Sequence, residues 1–501
     1  MERPGIPFLN FKPGRAPVSG EGCRVRHYLK LYINGEWVAP VADRVIEIVN
    51  PATEGVCGKV VQGAAADVDR AVAAAREAFK TWSRTDRDVR IAVLEGVVAE
   101  YEKRTPDLIA ALTEEMGAPL GLASQLQVPI GLGQFATALA VLRAYAFEED
   151  RGATRIVKEP IGVCGFITPW NWPLNLTAAK VAPALATGCT MILKSPQGAP
   201  FTAQIIAEIM DAAGVPAGVF NLVHGDGRGV GVPLCQHPGV DMISFTGSTS
   251  AGVEVAKNAA ATVKRVHQEL GGKSPLIVLD DEALALGVKG GVEGLMRNSG
   301  QTCNAPTRML VPASRLDEAI AAAKEAAEGL MVGDPLSDVD LGPVASKAQY
   351  DKIRSFIAQG VKEGARLVAG GLDRPDGVSR GYFIKPTVFA DVSPQMAIAR
   401  EEIFGPVMSI MTYHDLDEAV ELGNDTDYGL AAYVNGTDLE SARDLASRLR
   451  AGQVIINGAF DIMAPFGGYK RSGNGREWGD LAFQEFLEVK AVLGFTPVAA
   501  A

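Results

Sequence analysis

The chain has 501 residues, 47% of them hydrophobic and 21% charged, and carries a formal net charge of −11. That length gives a prior of about three domains and material for a large buried core. A chain this acidic has no global field for nucleic acid or an anionic membrane, which argues against both as partners. Glycine is abundant at 55 residues and aromatics are sparse at 7%. That balance suits tight turns and close backbone approaches, where small ligands sit.

Residues 1–25 contain Pro4, Pro7, Pro13 and Pro17 and no apolar core of signal-peptide length. They read as an irregular arm. Residues 31–38 (LYINGEWV) read as a hairpin turning at Asn34-Gly35. Val68, Val72, Ala75, Phe79 and Trp82 recur at helical spacing, so this stripe is core packing. Further helical patterns cover 87–116 and 132–145. Apolar runs at 161–168, 190–193, 220–223 and 242–245 then read as strands, separated by helical segments at 174–185 and 202–213. A second series has strands at 275–280 and 308–311 and helices at 316–330 and 348–363. Strands alternating with helices at this spacing give βαβ units and parallel sheets. No window holds 18 uninterrupted apolar residues, so no transmembrane helix is expected. The fold class is α/β, with two Rossmann-like units whose ligands gather beyond the carboxyl ends of the strands.

The six cysteines are Cys23, Cys57, Cys164, Cys189, Cys235 and Cys303, with no C-x-x-C pair, and the five histidines are scattered. That argues against a zinc site, and no metal is expected. Irregular spacing in a large acidic chain reads as free thiols in the cytoplasm. Most would be small buried hydrophobes.

Cys303 is different in setting. It stands in GQTCNAP (300–306), after a helical pattern and before a strand, on a small-residue turn that a substrate could approach. An inert turn cysteine is the competing reading. Glu269 closes a run carrying Val263 and Val266 and precedes Gly271-Gly272. It could be a general base with a raised pKa, or an ion-paired turn residue. In FTGSTSAG (245–252) a strand runs into a glycine turn and then a helix, a place that admits a phosphate. The alternative is an ordinary capped helix, and the strict G-x-G-x-x-G pattern is missing. HGDGRGVGV (224–232) reads as a flexible connection. Asn171, between Trp170 and Trp172, could donate to an oxyanion or merely fill an aromatic corner. Lys194 follows a strand, where a ligand at the carboxyl edge or plain solvent would meet it.

Taken in order, PWNWP (169–173), LKSP (193–196), FTGSTSAG (245–252), QELGGKSP (268–275), GQTC (300–303), EEIFGP (401–406) and PFGGYKRSGNGRE (465–477) resemble the aldehyde dehydrogenase superfamily. The resemblance runs from the hairpin at Ile33 to the C-terminus. It implies a hydrolytic, NAD(P)-dependent oxidation of an aldehyde to its acid. Cys303 would be the nucleophile, forming a thiohemiacetal and then a thioester. Asn171 and the Cys303 N–H would hold the oxyanion. Glu269 would be the base that activates water, with Lys180 and Glu477 as supporting proton-relay residues.

The same resemblance places Ile167, Thr168, Trp170, Lys194, Gln197, Thr246, Gly247, Ser248, Gly252, Leu270, Glu402 and Phe404 at the cofactor. Many NAD-preferring members carry Glu three residues after the lysine, whereas this chain has Gln197. A neutral amide does not repel a 2′-phosphate, so NAD is expected, with NADP also accepted. Trp172, Leu176, Thr302, Asn304 and Phe460 would line the substrate tunnel. Ala179, where choline-oxidising members have Trp, argues against betaine aldehyde. Asp461 is a lone acid and does not suggest a site for an acidic semialdehyde, so a hydrophobic aliphatic or aromatic aldehyde is preferred. Two alternatives are a CoA-acylating dehydrogenase, opposed by Glu269, and a non-catalytic structural relative, opposed by the complete Cys303, Glu269 and Asn171 set.

By the same resemblance, residues 1–145 and 162–271 form the dinucleotide-binding domain and 272–472 the catalytic domain. Residues 146–161 and 473–501 form a small β oligomerisation element, with 483–489 as an edge strand. A homodimer or homotetramer is expected.

Overall fold

A computed structural model describes residues 25–496. The irregular arm and Cys23 therefore lie outside the described residues, apart from Val25 at the arm's end. The turn Asn34-Gly35 has positive φ at both positions and joins strands Leu31–Ile33 and Glu36–Val38, as the hairpin reading requires.

The first sheet has eight strands. Its centre is parallel: Arg265–Glu269, Met242–Thr246, Val163–Ile167, Thr190–Lys194 and Phe220–Val223 lie side by side in that order. The hairpin closes one edge, and the short antiparallel strand Gly473–Asn474 closes the other. Alternate residues enter opposite cores. Cys164, Phe166, Met191, Leu193, Phe220 and Leu222 face one, while Val163, Ile167, Ile192, Val223 and Ile243 face the other. Burial on both faces is why these strands read as continuous apolar runs.

The second sheet has seven strands, with Val407–Tyr413, Arg308–Pro312, Pro275–Val278, Ala431–Asn435 and Gln453–Ile456 parallel in that order. It too separates two cores, Ile277 and Leu279 on one side and Leu276 and Val278 on the other.

A third sheet is a ribbon of Leu487–Val492, Thr154–Pro160 and Glu148–Arg151. The edge strand expected at 483–489 is corrected. Residues Leu481–Glu485 form a helical turn whose Phe483 is buried in the first core, and the strand begins only at Leu487. Phe483 and Phe486, three residues apart, are apolar because they dock on the first core, not because they pair in a sheet. The pattern over 87–116 is also two helices, Arg87–Lys103 and Thr105–Met116. Residues 224–232 are ordered, not a loose connection: Gly227–Gly231 form a helical turn capped by Asp226, whose Oδ1 accepts from the Gly229 N–H at 2.6 Å. The stretch Leu120–Ala144 is apolar enough by composition to cross a membrane. However, Leu132, Phe135, Val141 and Leu142 are buried in the first core, so it is a core helix.

Ahead of Cys303 the backbone is left-handed for three residues, Asn298, Ser299 and Gly300. A Cβ on Gly300 would stand 2.1 Å from the Gly405 backbone. Gly300→Ala is therefore expected to lower the melting temperature by several degrees, from about 1–3 kcal/mol of strain plus the clash. Thermal unfolding with the wild type alongside checks it.

Candidate active site

The carboxyl edge of the first sheet meets the approach loops of the second. Ile167, Lys194, Thr246 and Glu269 each close a parallel strand of the first sheet. Cys303 and Glu402 lie in loops that lead into strands Arg308–Pro312 and Val407–Tyr413 of the second.

Hydrogen bonds sew these loops together. Asn171 Nδ2 donates to the Gln301 carbonyl at 3.1 Å. Asn298 Nδ2 donates back to the Asn171 carbonyl at 2.9 Å and to that of Gln301 at 3.2 Å. Trp172 Nε1 donates to Thr302 Oγ1 at 3.0 Å. The Asn304 carbonyl accepts from Tyr433 Oη at 2.8 Å. Cys303 is thus held between residues fixed on both sides. Its side chain packs on an apolar cluster of Ala179, Leu430, Phe466 and Trp478. Burial, then the charges of Glu402 and Glu269, push its thiol up to about 12.

The two glycines after Glu269 are spatial necessities. A Cβ on Gly271 would lie 2.5 Å from Glu402 Oε2, and one on Gly272 2.5 Å from the Cys303 carbonyl oxygen. Glu402 accepts from the Gly272 N–H at 3.0 Å. Leu270 is clamped by its N–H to the Ser472 carbonyl at 2.9 Å, and Ser472 Oγ donates to the Gly271 carbonyl at 2.7 Å.

Glu269 itself is buried and neither carboxylate oxygen has a hydrogen-bond partner among the described residues. Burial, then repulsion from Glu477, drives its pKa well up. Lys180 forms a very short ion pair with Glu477, away from solvent.

Most of the remaining cofactor candidates sit at or just beyond strand ends of the first sheet. Thr168 Oγ1 and Thr246 Oγ1 are buried, without hydrogen-bond partners among the described residues, at adjacent strand ends. Gly247 donates its N–H to the Glu269 carbonyl at 3.0 Å, and a Cβ on Gly252 would strike Leu270. Ser248 caps helix Thr249–Ala259 through the Ala251 N–H. Trp170 and Phe404 meet edge to face at 5.5 Å. Lys194 turns inward and donates to the carbonyls of Ser195 and Gly225, and burial lowers its pKa to about 8. Gln197 is exposed on the turn beyond it. Two buried hydroxyls, a glycine turn and a helix N-terminus fit an extended ligand that carries phosphates.

Of the tunnel candidates, Leu176 is buried and Phe460 exposed. Phe460 meets Trp478 edge-on at 6.2 Å, and Trp478 stacks on Phe466 at 4.9 Å. Sequence reading missed Trp478. It follows the last motif directly, and its positive φ is visible only in the fold.

Cys303 is the only partly exposed thiol among the described cysteines; Cys57, Cys164, Cys189 and Cys235 are buried. Iodoacetamide should therefore label Cys303 ahead of those four, slowly at pH 7 and faster with each rise in pH, because only the thiolate reacts. Peptide mapping by mass spectrometry reads the site and the rate.

The chain is similar to known proteins over nearly its whole length. Residues 37–492 match the aldehyde dehydrogenase family. A 3-succinoylsemialdehyde-pyridine dehydrogenase from a Pseudomonas species is 57% identical, covering 94% of this chain and 99% of the relative. The structure of a Cys-to-Ala mutant of aldehyde dehydrogenase C from Pseudomonas syringae, complexed with NAD+ and octanal, is 51% identical with a TM-score of 0.93, covering 94% of this chain and 98% of that one. An aldehyde dehydrogenase from Mycobacterium tuberculosis complexed with NAD+ is 40% identical with a TM-score of 0.92, covering 95% and 100%. The chain belongs to the aldehyde dehydrogenase family and is an NAD(P)-dependent enzyme that oxidises an aldehyde.

Proposed function

We propose that Cys303 is the nucleophile and Glu269 the hydrolytic base, acting on a hydrophobic aliphatic or aromatic aldehyde. The observation that carries this reading is the tether between Asn171 Nδ2 and Gln301, which sets an amide beside the Cys303 turn. A primary amide has two N–H donors, and the tether uses one. The second, with the Cys303 N–H, is left for the oxyanion formed when Sγ adds to the carbonyl carbon. Thr168, Thr246 and Glu402 would hold the nicotinamide, which when bound would supply the acceptor for the hydride. Cys303 then carries a thioester. Glu269 takes a proton from water, the water oxygen adds to the acyl carbon, the C–S bond breaks and the acid leaves. Both Cys303 and Glu269 are shifted upward, so the reactive anions gain population as pH rises and turnover climbs from acid to alkaline.

A carboxylate poised for water supports hydrolysis over acyl transfer to CoA. The stacked Phe466 and Trp478, with Ala179 and Leu430 in the cluster that Cys303 packs against, give a wall that suits an apolar chain or ring. The relatives' named compounds, a pyridine semialdehyde and octanal, carry such groups. The ribbon of Glu148–Arg151, Thr154–Pro160 and Leu487–Val492 supports a homodimer or homotetramer, because Val489 and Leu493 stand exposed on it at 69% and 81%. It also supports separating this ribbon from the dinucleotide-binding and catalytic domains. A cytoplasmic location fits the irregular cysteine spacing of a large acidic chain.

Two variants test the roles, with octanal and NAD as substrates. Cys303→Ala should form no NADH at 340 nm. Glu269→Gln should release one NADH per site in a burst and then turn over about 10²–10⁴-fold more slowly, the span of general-base contributions. Full steady-state turnover in either variant contradicts the assignment.

Gln197 supplies a second test. Gln197→Glu should cut kcat/KM for NADP about tenfold or more relative to NAD, since a carboxylate near a 2′-phosphate costs more than about 1.4 kcal/mol. An unchanged ratio places the 2′-position elsewhere.

A further inference from the structure

Strands Thr190–Lys194 and Phe220–Val223 run parallel and in step, with Lys194 beside Val223 at their carboxyl ends. Past that point the two chain segments part. One passes Ser195 and Gln197 into helix Pro200–Ala212, and the other passes His224 and Gly225 into the capped turn Gly227–Gly231. His224 is fully buried between them. Its Nδ1 lies 2.8 Å from Ser195 Oγ, and its Nε2 lies 3.1 Å from Gln204 Oε1 on the helix. Its carbonyl accepts from the Gly63 N–H at 2.7 Å.

The direction of each bond follows from its neighbours. Glu208 accepts from Arg104 Nη2 at 2.8 Å, and its carboxylate also accepts from Gln204 Nε2 at 3.2 Å. Gln204 therefore presents its carbonyl oxygen to the ring, which makes His224 Nε2 the donor. Nδ1 is left bare and accepts from the Ser195 hydroxyl. Burial first, then the Lys194 charge, holds the ring down to about 3, so no second proton competes for Nδ1 at neutral pH.

Lys194 closes the arrangement. Its Nζ donates to the Ser195 carbonyl at 2.7 Å and to the Gly225 carbonyl at 3.0 Å. Ser195 is the residue that His224 bonds, and Gly225 is the residue that follows it. A Cβ on Gly225 would stand 2.2 Å from Val230 Cγ2, so the backbone there lies tight against the turn. An ammonium has three N–H groups, and two of them are taken by these carbonyls. The direction of the third is then set. Resting on the adenosine end of the cofactor lying beside Lys194 and Gln197, we propose that His224 is a positioning residue for that end, whose ring fixes the two carbonyls that aim the third Lys194 N–H at the ribose. The ring acts only through Ser195 and Gly225.

The experiment titrates ADP-ribose, which carries the adenosine and pyrophosphate without the nicotinamide, into the enzyme by isothermal calorimetry. It also measures KM for octanal at saturating NAD. The variants are Ser195→Ala, His224→Leu, the two combined, and Lys194→Met. The expected result is an ADP-ribose Kd about tenfold higher in each of the first two, or about 1.4 kcal/mol. The double variant should be no weaker than either, because both changes remove the same bond. KM for octanal should hold at the wild-type value, whereas a general distortion of the site would raise it. Wild-type affinity in Ser195→Ala and His224→Leu beside weak binding by Lys194→Met overturns the role of His224 and leaves the adenosine end where it is. Wild-type affinity in Lys194→Met overturns that placement and the inference with it. Fully additive losses in the double variant, or an octanal KM that rises in step with the Kd, also overturn the inference. If His224→Leu fails to fold, Ser195→Ala decides: a raised Kd with the octanal KM kept supports the role, and a wild-type Kd overturns it.

Discussion

The hydrogen bond from Asn171 Nδ2 to the Gln301 carbonyl joins two sheets that otherwise have separate cores. One partner stands beyond a strand of the first sheet and the other in a loop feeding the second. The Asn298 side chain closes the same junction from the opposite direction, and the left-handed run at Asn298, Ser299 and Gly300 turns the chain so that Cys303 faces the first sheet. Each of these groups is buried, so an unmade bond here would cost about 1–3 kcal/mol, more than a made bond contributes in water. The position of Cys303 is therefore fixed by a polar seam, not by the apolar packing around it.

The same junction stores charge in a place that resists it. Lys180 and Glu477 are sealed from water, and Glu269 is buried without a hydrogen bond to its oxygens among the described residues. A buried ion pair seldom stabilises a fold beyond what apolar residues of the same size would give. A carboxyl raised by desolvation is, however, what a base near neutral pH requires. The energetic cost of the cluster is consistent with the chemistry assigned to it. The Phe466 and Trp478 stack keeps the opposite wall of the thiol dry.

Much of this was legible in the sequence. Strands such as Phe220–Val223 are buried on both faces, and a short apolar run between turn signals marks such a strand directly. Cys303 sat in a small-residue turn, Glu269 ahead of two glycines and Asn171 between two tryptophans, and the order of their motifs carried the family resemblance. Other features depend on register, which one strand alone does not contain. Ser244 is next to His267 only because two strands pair without an offset. Trp478 reaches the pocket through a positive φ that nothing nearby announces. The strand Leu487–Val492 was placed too early because Phe483 and Phe486 are apolar residues that pack into the first core from a helical turn, at a spacing of three.

The most direct test of the central claim is the chemical state of Cys303 during turnover. The Glu269→Gln variant, mixed with octanal and NAD and quenched in acid within the burst, can be digested and weighed. The account predicts that the peptide containing Cys303 gains the mass of the aldehyde less two hydrogens, the signature of a thioester. An unmodified Cys303 peptide alongside a full burst of NADH would contradict it.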